Sequence, residues 1–522
     1  MKTVALDGES LTIDTVVAVA NAWEHPESVW VEVEAGAAER VRSSRAAVER
    51  IVEQGQVVYG VTTGFGAFKD RLISRQQTAQ LQRNLLMSHA AGVGAPLPDS
   101  TVRALMLVRA NTLAKGYSGI RLETLRALLN LINHGVHPVV PAQGSVGASG
   151  DLAPLAHMAL VLIGLGEAVY RGARMSGHAA LLQSGLDAHA LEAKEGVSLI
   201  NGTSFMAAIA CETIARCHVL LDSADTAAAL SLEALHGSVS PFDSRLHAVR
   251  PHPGQVATAE RMRRLLAGSG FVRADDDVQV QDAYTLRCIP QVHGAIRDVL
   301  AHVEGVIAIE LNAATDNPLI FCAGDVCSAV SGGNFHGEPI ALCMDYLGLA
   351  LTDLGNMAER RIARLLDPAA NGGVLPPFLI DQGGLNSGFM VVQYTAAALA
   401  SENKVLAHPA SADSIPTSAN AEDHVSMGPI AARKAAQIAG HVETIVALEL
   451  LCAAQGVDFR RRQQPGQRMG GGTGAAYELV RKRVPFMASD EVLYPHIEQI
   501  RALVHKGEVA RAVQQALRAA AA

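Results

Sequence analysis

The stretch PIALCMDYLGLALTDLGNMAERRIARLL, residues 339–366, predicts the fold. Apolar residues recur in it every three or four positions, which is the period of one helix face. The residues of this stripe are Ile340, Met344, Leu347, Leu351, Leu354, Ala358, Ile362 and Leu365. At 1.5 Å per residue the helix would be roughly 40 Å long. A second long helix is predicted from about Met427 to Gln455, before Gly456, and two such helices indicate a central bundle.

Composition favours the same fold class. Hydrophobic residues make up 49% of the 522 residues, but aromatic residues only 4%. The interior must therefore be filled by Ala, Leu, Val and Ile, which suits closely packed helices better than stacked sheets. We predict a mainly α protein with a long central helical bundle and a small mixed N-terminal region.

Three lobes that fold as one cooperative unit are predicted from the chain length and from its loop signals. They are an N-terminal lobe over 1–200, the long-helix bundle over 201–456 and a C-terminal helical lobe over 457–522. The shorter elements predicted are extended segments at TVVAV (15–19) and VWVEVEA (29–35), helices over 99–113 and 122–133, and a loop over 459–474.

Charge and cysteine usage exclude several classes of function. The formal net charge of −8 argues against a nucleic-acid-binding surface. Seven cysteines, an odd number with no CxxC pair, suit a reducing compartment and predict neither a disulfide framework nor a zinc site. Asp7 and Glu9 stand where a signal peptide would need an apolar run, and residues 382–401 are too polar to cross a bilayer. We expect a cytoplasmic enzyme without a membrane partner.

The most informative segment for chemistry is GSVGASGDLAPLAH, residues 144–157. Ser149 is not the serine of a nucleophile elbow, because position 151 of the G-x-S-x-G pattern is Asp. Gly150 has no side chain, so its amide nitrogen can approach the Ala148 carbonyl, close a five-membered ring and lose water. Ser149 would then lose its hydroxyl and become an electron-poor alkene at the start of a helix that Asp151 is expected to cap.

This segment resembles the cofactor-forming segment of the histidine and phenylalanine ammonia-lyase family. The resemblance runs roughly from Val58 to the C-terminal lobe. The further segments that carry it are VVYGVTTGFG, LMSHAAGVGAPL, LINGTSF, LHGSVSPFDSRLHAVRPHPGQ, QDAYTLRCIPQVHGA, ELNAATDNPLIF, SGGNFHG and ENKVLAHPASADSIPTSANAEDHVSMGP. It implies the all-α fold of the fumarase/aspartase-like superfamily, a 4-methylidene-imidazol-5-one cofactor from residues 148–150 with no metal, and a homotetramer whose active sites each draw on three subunits.

The resemblance also implies roles for individual residues. Tyr59 would lie on a lid over the substrate amino group, and Asn201 would position the cofactor or the substrate carboxylate. Tyr284 would take a proton and Arg287 would hold the carboxylate. The spacing of Gln281, Tyr284 and Arg287 would place all three on one helix face. Phe335 would form an aromatic wall of the pocket.

Three positions indicate the substrate. Ser88 and His89 in SHAAGVG, and Glu422 in AEDHVSM, match the enzymes that act on histidine, whose ring could hydrogen-bond to His89 and Glu422. Two departures favour tyrosine enzymes instead, namely Thr62 in place of the usual Asn and Ala421 in place of the usual Gln. The expected reaction is elimination of ammonia from L-histidine to give trans-urocanate. A tyrosine or phenylalanine ammonia-lyase, a 2,3-aminomutase and an inactive helical scaffold remain the alternatives.

Overall fold

The computed structural model describes residues 2–64, 66–68, 70–273, 280–324 and 326–520, so Phe65 of the YGVTTGFG segment lies outside the described residues. The chain divides into two compact units. Unit 1 comprises Met1–Ala215, Val303–Asp345 and Pro409–Arg433, and unit 2 comprises Arg216–His302, Tyr346–His408 and Lys434–Ala522. Helices predominate, and the prediction of a mainly α fold is confirmed.

The strands are short. They are β1 (Lys2–Leu6), β2 (Val29–Val33), β3 (Val93–Pro96), β4 (Val136–Pro138), β5 (Pro141–Gln143), β6 (Glu167–Tyr170), β7 (Ala173–Ser176), β8 (Leu319–Ala323) and β9 (Val326–Val330). β1 and β2 pair in parallel, whereas β3 with β5, β4 with β6 and β7, and β8 with β9 pair antiparallel. All of these strands belong to unit 1.

The helices are longest in the middle and later parts of the chain. They are α1 (Ile13–Asn21), α2 (Ala35–Glu53), α3 (Thr78–His89), α4 (Asp99–Ala114), α5 (Leu122–Asn133), α6 (Leu152–Leu162), α7 (Gly177–Ser184), α8 (Glu195–Ile200), α9 (Ser204–Ala234), α10 (Ser244–Ala248), α11 (Pro253–Leu266), α12 (Tyr284–Arg287), α13 (Ile289–Glu310), α14 (Glu338–Leu366), α15 (Met390–Leu406), α16 (Gly428–Gln463), α17 (Gly471–Arg483), α18 (Tyr494–His505) and α19 (Glu508–Ala519).

Several helix predictions hold closely. α5 has the predicted bounds, α4 agrees within one residue, and α14 begins one residue before the predicted start. Every residue of the predicted α14 stripe is buried. VWVEV forms β2 as expected, but TVVAV lies in α1, where Thr12 caps the helix by accepting a hydrogen bond from Thr15 N. A short run of β-branched residues is compatible with a strand or with a helix, and the Thr12 cap favours the helix here.

α16 corrects the predicted end of the second long helix. It continues through Gly456 to Gln463, and α17 begins at Gly471. The predicted loop over 459–474 is therefore wrong for 459–463 and 471–474, which are helical. A Cβ on Gly456 would lie 3.0 Å from Ala234 Cβ and 3.3 Å from Leu375 Cδ1. This glycine is therefore explained by close packing inside unit 2 and does not terminate the helix.

α4 forms the buried centre of unit 1, and every residue from Thr101 to Ala114 is buried. It also buries two arginines. The Arg103 guanidinium donates hydrogen bonds to Val19 O (3.0 Å) and Ile132 O (2.7 Å), and Arg109 donates to Ser198 O. Burial lowers the pKa of each arginine to about 10. Backbone carbonyls thus satisfy part of each guanidinium group, whereas Arg103 Nη2 and Arg109 Nε and Nη1 have no hydrogen-bond partner among the described residues.

One cysteine expectation is wrong. Cys322 and Cys327 form a disulfide between directly opposed positions of β8 and β9, with their Cα atoms 4.1 Å apart. The pairing is made by strand register, which cysteine spacing alone does not reveal. The other five cysteines are free.

α9 is long and apolar enough to cross a membrane by length and composition alone. In its most apolar window, 72% of the residues are buried. The buried core helix of a soluble protein passes the same test, so this helix is weak evidence for a membrane span.

Candidate active site

A cavity of about 620 Å³ in unit 1 brings together seven of the twelve site residues that the sequence predicted. The predicted residues that line it are Tyr59, His89, Ala148, Ser149, Gly150, Asn201 and Glu422. Leu85, Val197 and Ile200 add an apolar wall. The volume and the mixture of apolar surface with a few polar groups are typical of a small-molecule site.

The segment 144–150 turns sharply at this cavity. Gly144, Gly147 and Gly150 have φ angles of +129°, +72° and +73°, which residues with side chains rarely adopt. Ser145 Oγ donates a hydrogen bond to Gly150 O (3.1 Å) and accepts one from Gly147 N (3.2 Å). The hydroxyl therefore ties the two ends of the Ala148–Ser149 turn together.

Two other segments hold the same loop through its backbone. Gly202 N donates to Ser149 O (3.3 Å), and Asp151 N donates to Gly202 O (2.7 Å), so that a short parallel bridge forms. From the other direction Met427 N donates to Val146 O (2.9 Å). Main-chain bonds of this kind fix the path of the loop whatever the side chain at position 149.

The sequence predicted that Asp151 caps α6, but its side chain makes no capping hydrogen bond to that helix. Its backbone lies at φ −104° and ψ 48°, outside the extended conformation of a typical N-cap. Its Oδ2 instead accepts hydrogen bonds from Phe205 N (2.8 Å) and Met206 N (3.1 Å) at the start of α9. Burial raises the pKa of this carboxyl to about 8, although the two amide donors lower it. The residue that follows the loop thus anchors a second helix beside it.

A buried ion pair supports the helix that leads to Asn201. Lys194 Nζ lies 2.7 Å from Asp316 Oδ2, and both side chains are fully buried. Lys194 Nζ also donates to Ser198 Oγ (3.2 Å). Since a buried charge without its partner is strongly destabilising, these contacts hold α8 in one position. Asn201 follows directly at the end of α8.

The residues present fit a cofactor made from residues 148–150. A Cβ on Gly150 would collide with the carbonyl oxygen of Gly202, so only glycine allows this close approach. Asn201 Nδ2 donates to Asn317 O (3.3 Å). Its buried Oδ1 has no hydrogen-bond partner among the described residues. An unpaired buried acceptor at the wall of a cavity is costly unless something else binds it.

His89 and Glu422 are two of the polar residues outside the 144–150 loop that line the cavity. His89 is the last residue of α3, and Ser88 Oγ lies 3.0 Å from its Nδ1. Burial lowers the pKa of His89, whereas the backbone at Leu85 and the charge of Glu422 raise it. Ser88 itself does not line the cavity. Ser88 instead contacts the ring of His89, which does line the cavity.

Tyr59 lies in the loop over the cavity, half-buried, and its hydroxyl accepts a hydrogen bond from Gly66 N (3.3 Å). The side chain of Thr62, three residues later, makes its hydrogen bonds within the same loop. Thr62 Oγ1 donates to Gln56 O (2.6 Å) and accepts from Val58 N (3.0 Å). Neither Thr62 nor Ala421, the two departures from the histidine pattern, is among the residues that line the cavity.

The remaining predicted residues lie elsewhere. Gln281, Tyr284 and Arg287 belong to unit 2, and Phe335 is a half-buried residue of unit 1 away from the cavity wall. Tyr284 and Arg287 share the single turn α12, where the guanidinium carbon of Arg287 lies 4.4 Å from the centroid of the Tyr284 ring. The prediction that a helix also includes Gln281 is wrong, because α12 begins at Tyr284.

Residues 417–419 also line the cavity, although the sequence did not indicate them as site residues. Ser418, Ala419 and Asn420 have φ angles of +53°, +54° and +65°, in the left-handed region that side chains avoid. Consecutive residues in this conformation are uncommon and cluster at functional sites. The letters S-A-N contain no glycine, so the sequence offered no local signal for this turn.

Comparisons with known proteins identify the family of the chain. The model of the family described as aromatic amino acid lyase matches residues 11–482. A histidine ammonia-lyase of Chloroflexus aurantiacus is 57% identical over 98% of both chains. The crystal structure of histidine ammonia-lyase from Trypanosoma cruzi is 42% identical, with a TM-score of 0.89 over 99% of this chain and 96% of that one. The tyrosine aminomutase of Streptomyces globisporus is 38% identical, with a TM-score of 0.92 over 98% of both chains.

Proposed function

Because the chain belongs to the aromatic amino acid lyase family, we propose that it removes ammonia from L-histidine and releases trans-urocanate. The observation that carries this proposal is that His89 and Glu422 line the same cavity as Ala148, Ser149 and Gly150. A neutral imidazole has one N–H donor and one nitrogen acceptor. A carboxylate and a histidine side chain together can satisfy both.

We propose that residues 148–150 cyclise and lose water to give 4-methylidene-imidazol-5-one, with no metal and no external cofactor. The positive φ angles of Gly147 and Gly150 and the hydrogen bonds from Ser145 support this proposal, because they bring the atoms of the ring-forming turn together. Once formed, the group supplies an electrophilic alkene carbon. α6 begins at Leu152, so the positive end of its dipole favours negative charge at the loop.

The chain's own side chains would orient the substrate and move its proton. Asn201 and Arg287 would hold the carboxylate, and Tyr284 would take the proton from the β-carbon. As that proton leaves, the bond between Cα and nitrogen breaks, so ammonia departs and a carbon–carbon double bond remains. Tyr59 would close the loop over the site and exclude water.

Residues from unit 2 enter this mechanism through a composite site. We propose a homotetramer in which each active site draws on three subunits, so that Gln281, Tyr284 and Arg287 of a neighbouring subunit complete the cavity. Tyr284 is 71% exposed in the single chain, which is unusual for a tyrosine with a role in catalysis and supports its use by a neighbour. Further large apolar side chains that a subunit interface could cover are Leu342, Tyr346, Leu349, Val391, Tyr394 and Val405.

The rival reactions have weaker support. A tyrosine or phenylalanine ammonia-lyase, or an aminomutase, is favoured by the likeness to tyrosine aminomutase and by Thr62 and Ala421. Since neither residue lines the cavity, they bear less on the substrate than His89 and Glu422 do. The identity of 57% over 98% of both chains with a histidine ammonia-lyase counts against an inactive scaffold.

Two further expectations stay proposals. We place the protein in the cytoplasm, in keeping with its five unpaired cysteines, although the Cys322–Cys327 disulfide would be unusual in a reducing compartment. We expect no nucleic-acid partner, because the net charge of −8 would repel a phosphate backbone.

Replacing Glu422 by glutamine tests the assignment of the substrate. The change keeps the size of the side chain but removes the charge that would bind the substrate ring. Since a hydrogen bond to a charged group contributes roughly 1.5–3 kcal/mol, we expect kcat/KM for L-histidine to fall roughly 10- to 100-fold. Steady-state kinetics with L-histidine, L-tyrosine and L-phenylalanine measure the effect.

Asp413→Asn is the matched control, because Asp413 is an exposed carboxylate nearby in sequence that does not line the cavity. This control is expected to keep wild-type kinetics. A Glu422→Gln enzyme with unchanged kcat/KM for L-histidine would count against a ring-binding role.

A further inference from the structure

The segment 87–91 separates two cavities of unit 1. Its residues His89 and Ala91 line the cavity described above. Met87 and Ala90 line a second cavity of about 420 Å³ behind it, together with His157. The charged residues of this second cavity, Glu167 and Arg174, pair with each other at 2.6 Å. Neighbouring residues of this one segment therefore line both cavities.

His157 fastens that segment where it leaves α3. Gly92 N donates a hydrogen bond to His157 Nε2 at 3.1 Å. A Cβ on Gly92 would lie 3.2 Å from the same nitrogen and 3.2 Å from Gln143 O, so the close approach favours glycine. Burial lowers the pKa of His157, which favours the unprotonated ring that can accept this bond. Among the described residues, His157 Nε2 is the acceptor that Gly92 N contacts.

The helix that carries His157 follows directly after the cofactor loop. α6 begins two residues after Gly150, and His157 lies in its second turn. Immediately beyond Gly92, β3 pairs with β5, which leads into the loop at Gly144. The turn from His89 to Gly92 thus has two attachments to the cofactor segment, one through strand pairing and one through the His157 ring.

We propose that His157 is a positioning residue for substrate binding: it holds the backbone at Gly92 and thereby sets the place of His89 relative to residues 148–150. The proposal rests on the proposed function, since it is the substrate ring that His89 would bind. His157 does not touch the substrate cavity. Its effect on the reaction passes through Ala90 and Ala91, the two residues between His89 and Gly92.

Two variants distinguish the positioning role of His157 from a general contribution to the stability of the fold. His157→Phe keeps a ring of similar size but has no acceptor nitrogen, whereas His157→Gln keeps an acceptor oxygen. For the Phe variant we expect KM for L-histidine to rise about 10-fold and kcat to change less than about 3-fold, because the ring-binding group shifts while the cofactor loop stays. The Gln variant is expected to stay within about 3-fold of wild type in both constants.

Two readouts do not depend on turnover. The near-ultraviolet absorbance of the cofactor should be the same in wild type and both variants. Amide hydrogen exchange in residues 88–97 should be faster in the Phe variant than in the Gln variant, because the Gly92 amide has lost its acceptor. If the Phe variant does not fold, His157→Asn, whose side chain is too short to reach Gly92, takes its place.

An unchanged KM in the Phe variant would overturn the proposal. So would loss of cofactor absorbance in that variant, because His157 would then support the loop and not the segment of His89. If wild-type protein released no ammonia from L-histidine, the proposed function would fail. Equal exchange of residues 88–97 in wild type and the Phe variant would instead show that His157 does not hold this segment, whatever the substrate is.

Discussion

Replacing Ser149 by alanine is expected to abolish turnover and to remove the cofactor's near-ultraviolet absorbance. An alanine has no hydroxyl to lose as water, so the alkene carbon cannot form. The rate should fall by at least about 1,000-fold, because the elimination depends on this electrophile. The fold should persist, since the hydrogen bond that Ser149 accepts from Gly202 N uses the backbone carbonyl, which alanine keeps.

Ser184→Ala is the matched control for this experiment. Ser184 is the last residue of α7, and its hydroxyl donates to Ala180 O (2.8 Å) away from the cavity. Absorbance spectra, circular dichroism and ammonia release from L-histidine should all match wild type. A Ser149→Ala protein that kept the absorbance or the rate would show that residues 148–150 do not form the electrophile.

Two inactive variants are expected to restore activity when they share a tetramer. Ser149→Ala lacks the electrophile but keeps Arg287, whereas Arg287→Ala keeps the electrophile but lacks the carboxylate-binding cation. If the cavity and Arg287 come from different subunits, random assembly of an equal mixture leaves about one site in four intact. Co-expression should therefore yield about a quarter of wild-type activity, measured as ammonia release per tetramer.

The control pair places both changes in the same cavity. Ser149→Ala and Tyr59→Phe both alter residues of one cavity in unit 1, so every mixed site lacks one of them. Co-expression of this pair should give no more activity than the better single variant. Equal restoration by the two pairs, or restoration by neither, would contradict the composite site.

Local patterns predicted the fold well where one physical signal dominates. The stripe in α14 and the bounds of α5 follow from apolar periodicity, and the structure agrees with both. Predictions were wrong where tertiary contacts decide. Gly456 continues α16 because neighbouring helices pack closely against it, and Cys322 meets Cys327 because β8 and β9 pair in register.

In the candidate site, too, local patterns indicated some residues but did not reveal contacts between distant parts of the chain. The motifs indicated Tyr59, His89, Asn201, Glu422 and the loop, and the structure gathers them around one cavity. Asp151 was expected to act locally on α6, but its carboxylate contacts the start of α9, far away in sequence. The bond between Gly92 and His157 joins residues 65 positions apart. Periodicity and capping rules describe neighbours along the chain and cannot reveal contacts of this kind.

The most direct test of the proposed function is a parallel assay of the purified protein with L-histidine, L-tyrosine and L-phenylalanine. Ammonia release and the ultraviolet band of each acrylate product are followed for every substrate. We predict ammonia and trans-urocanate from L-histidine and no comparable release from the other two. Release from L-tyrosine or L-phenylalanine in preference to L-histidine would contradict the role of His89 and Glu422, and no release from any of the three would contradict an active lyase.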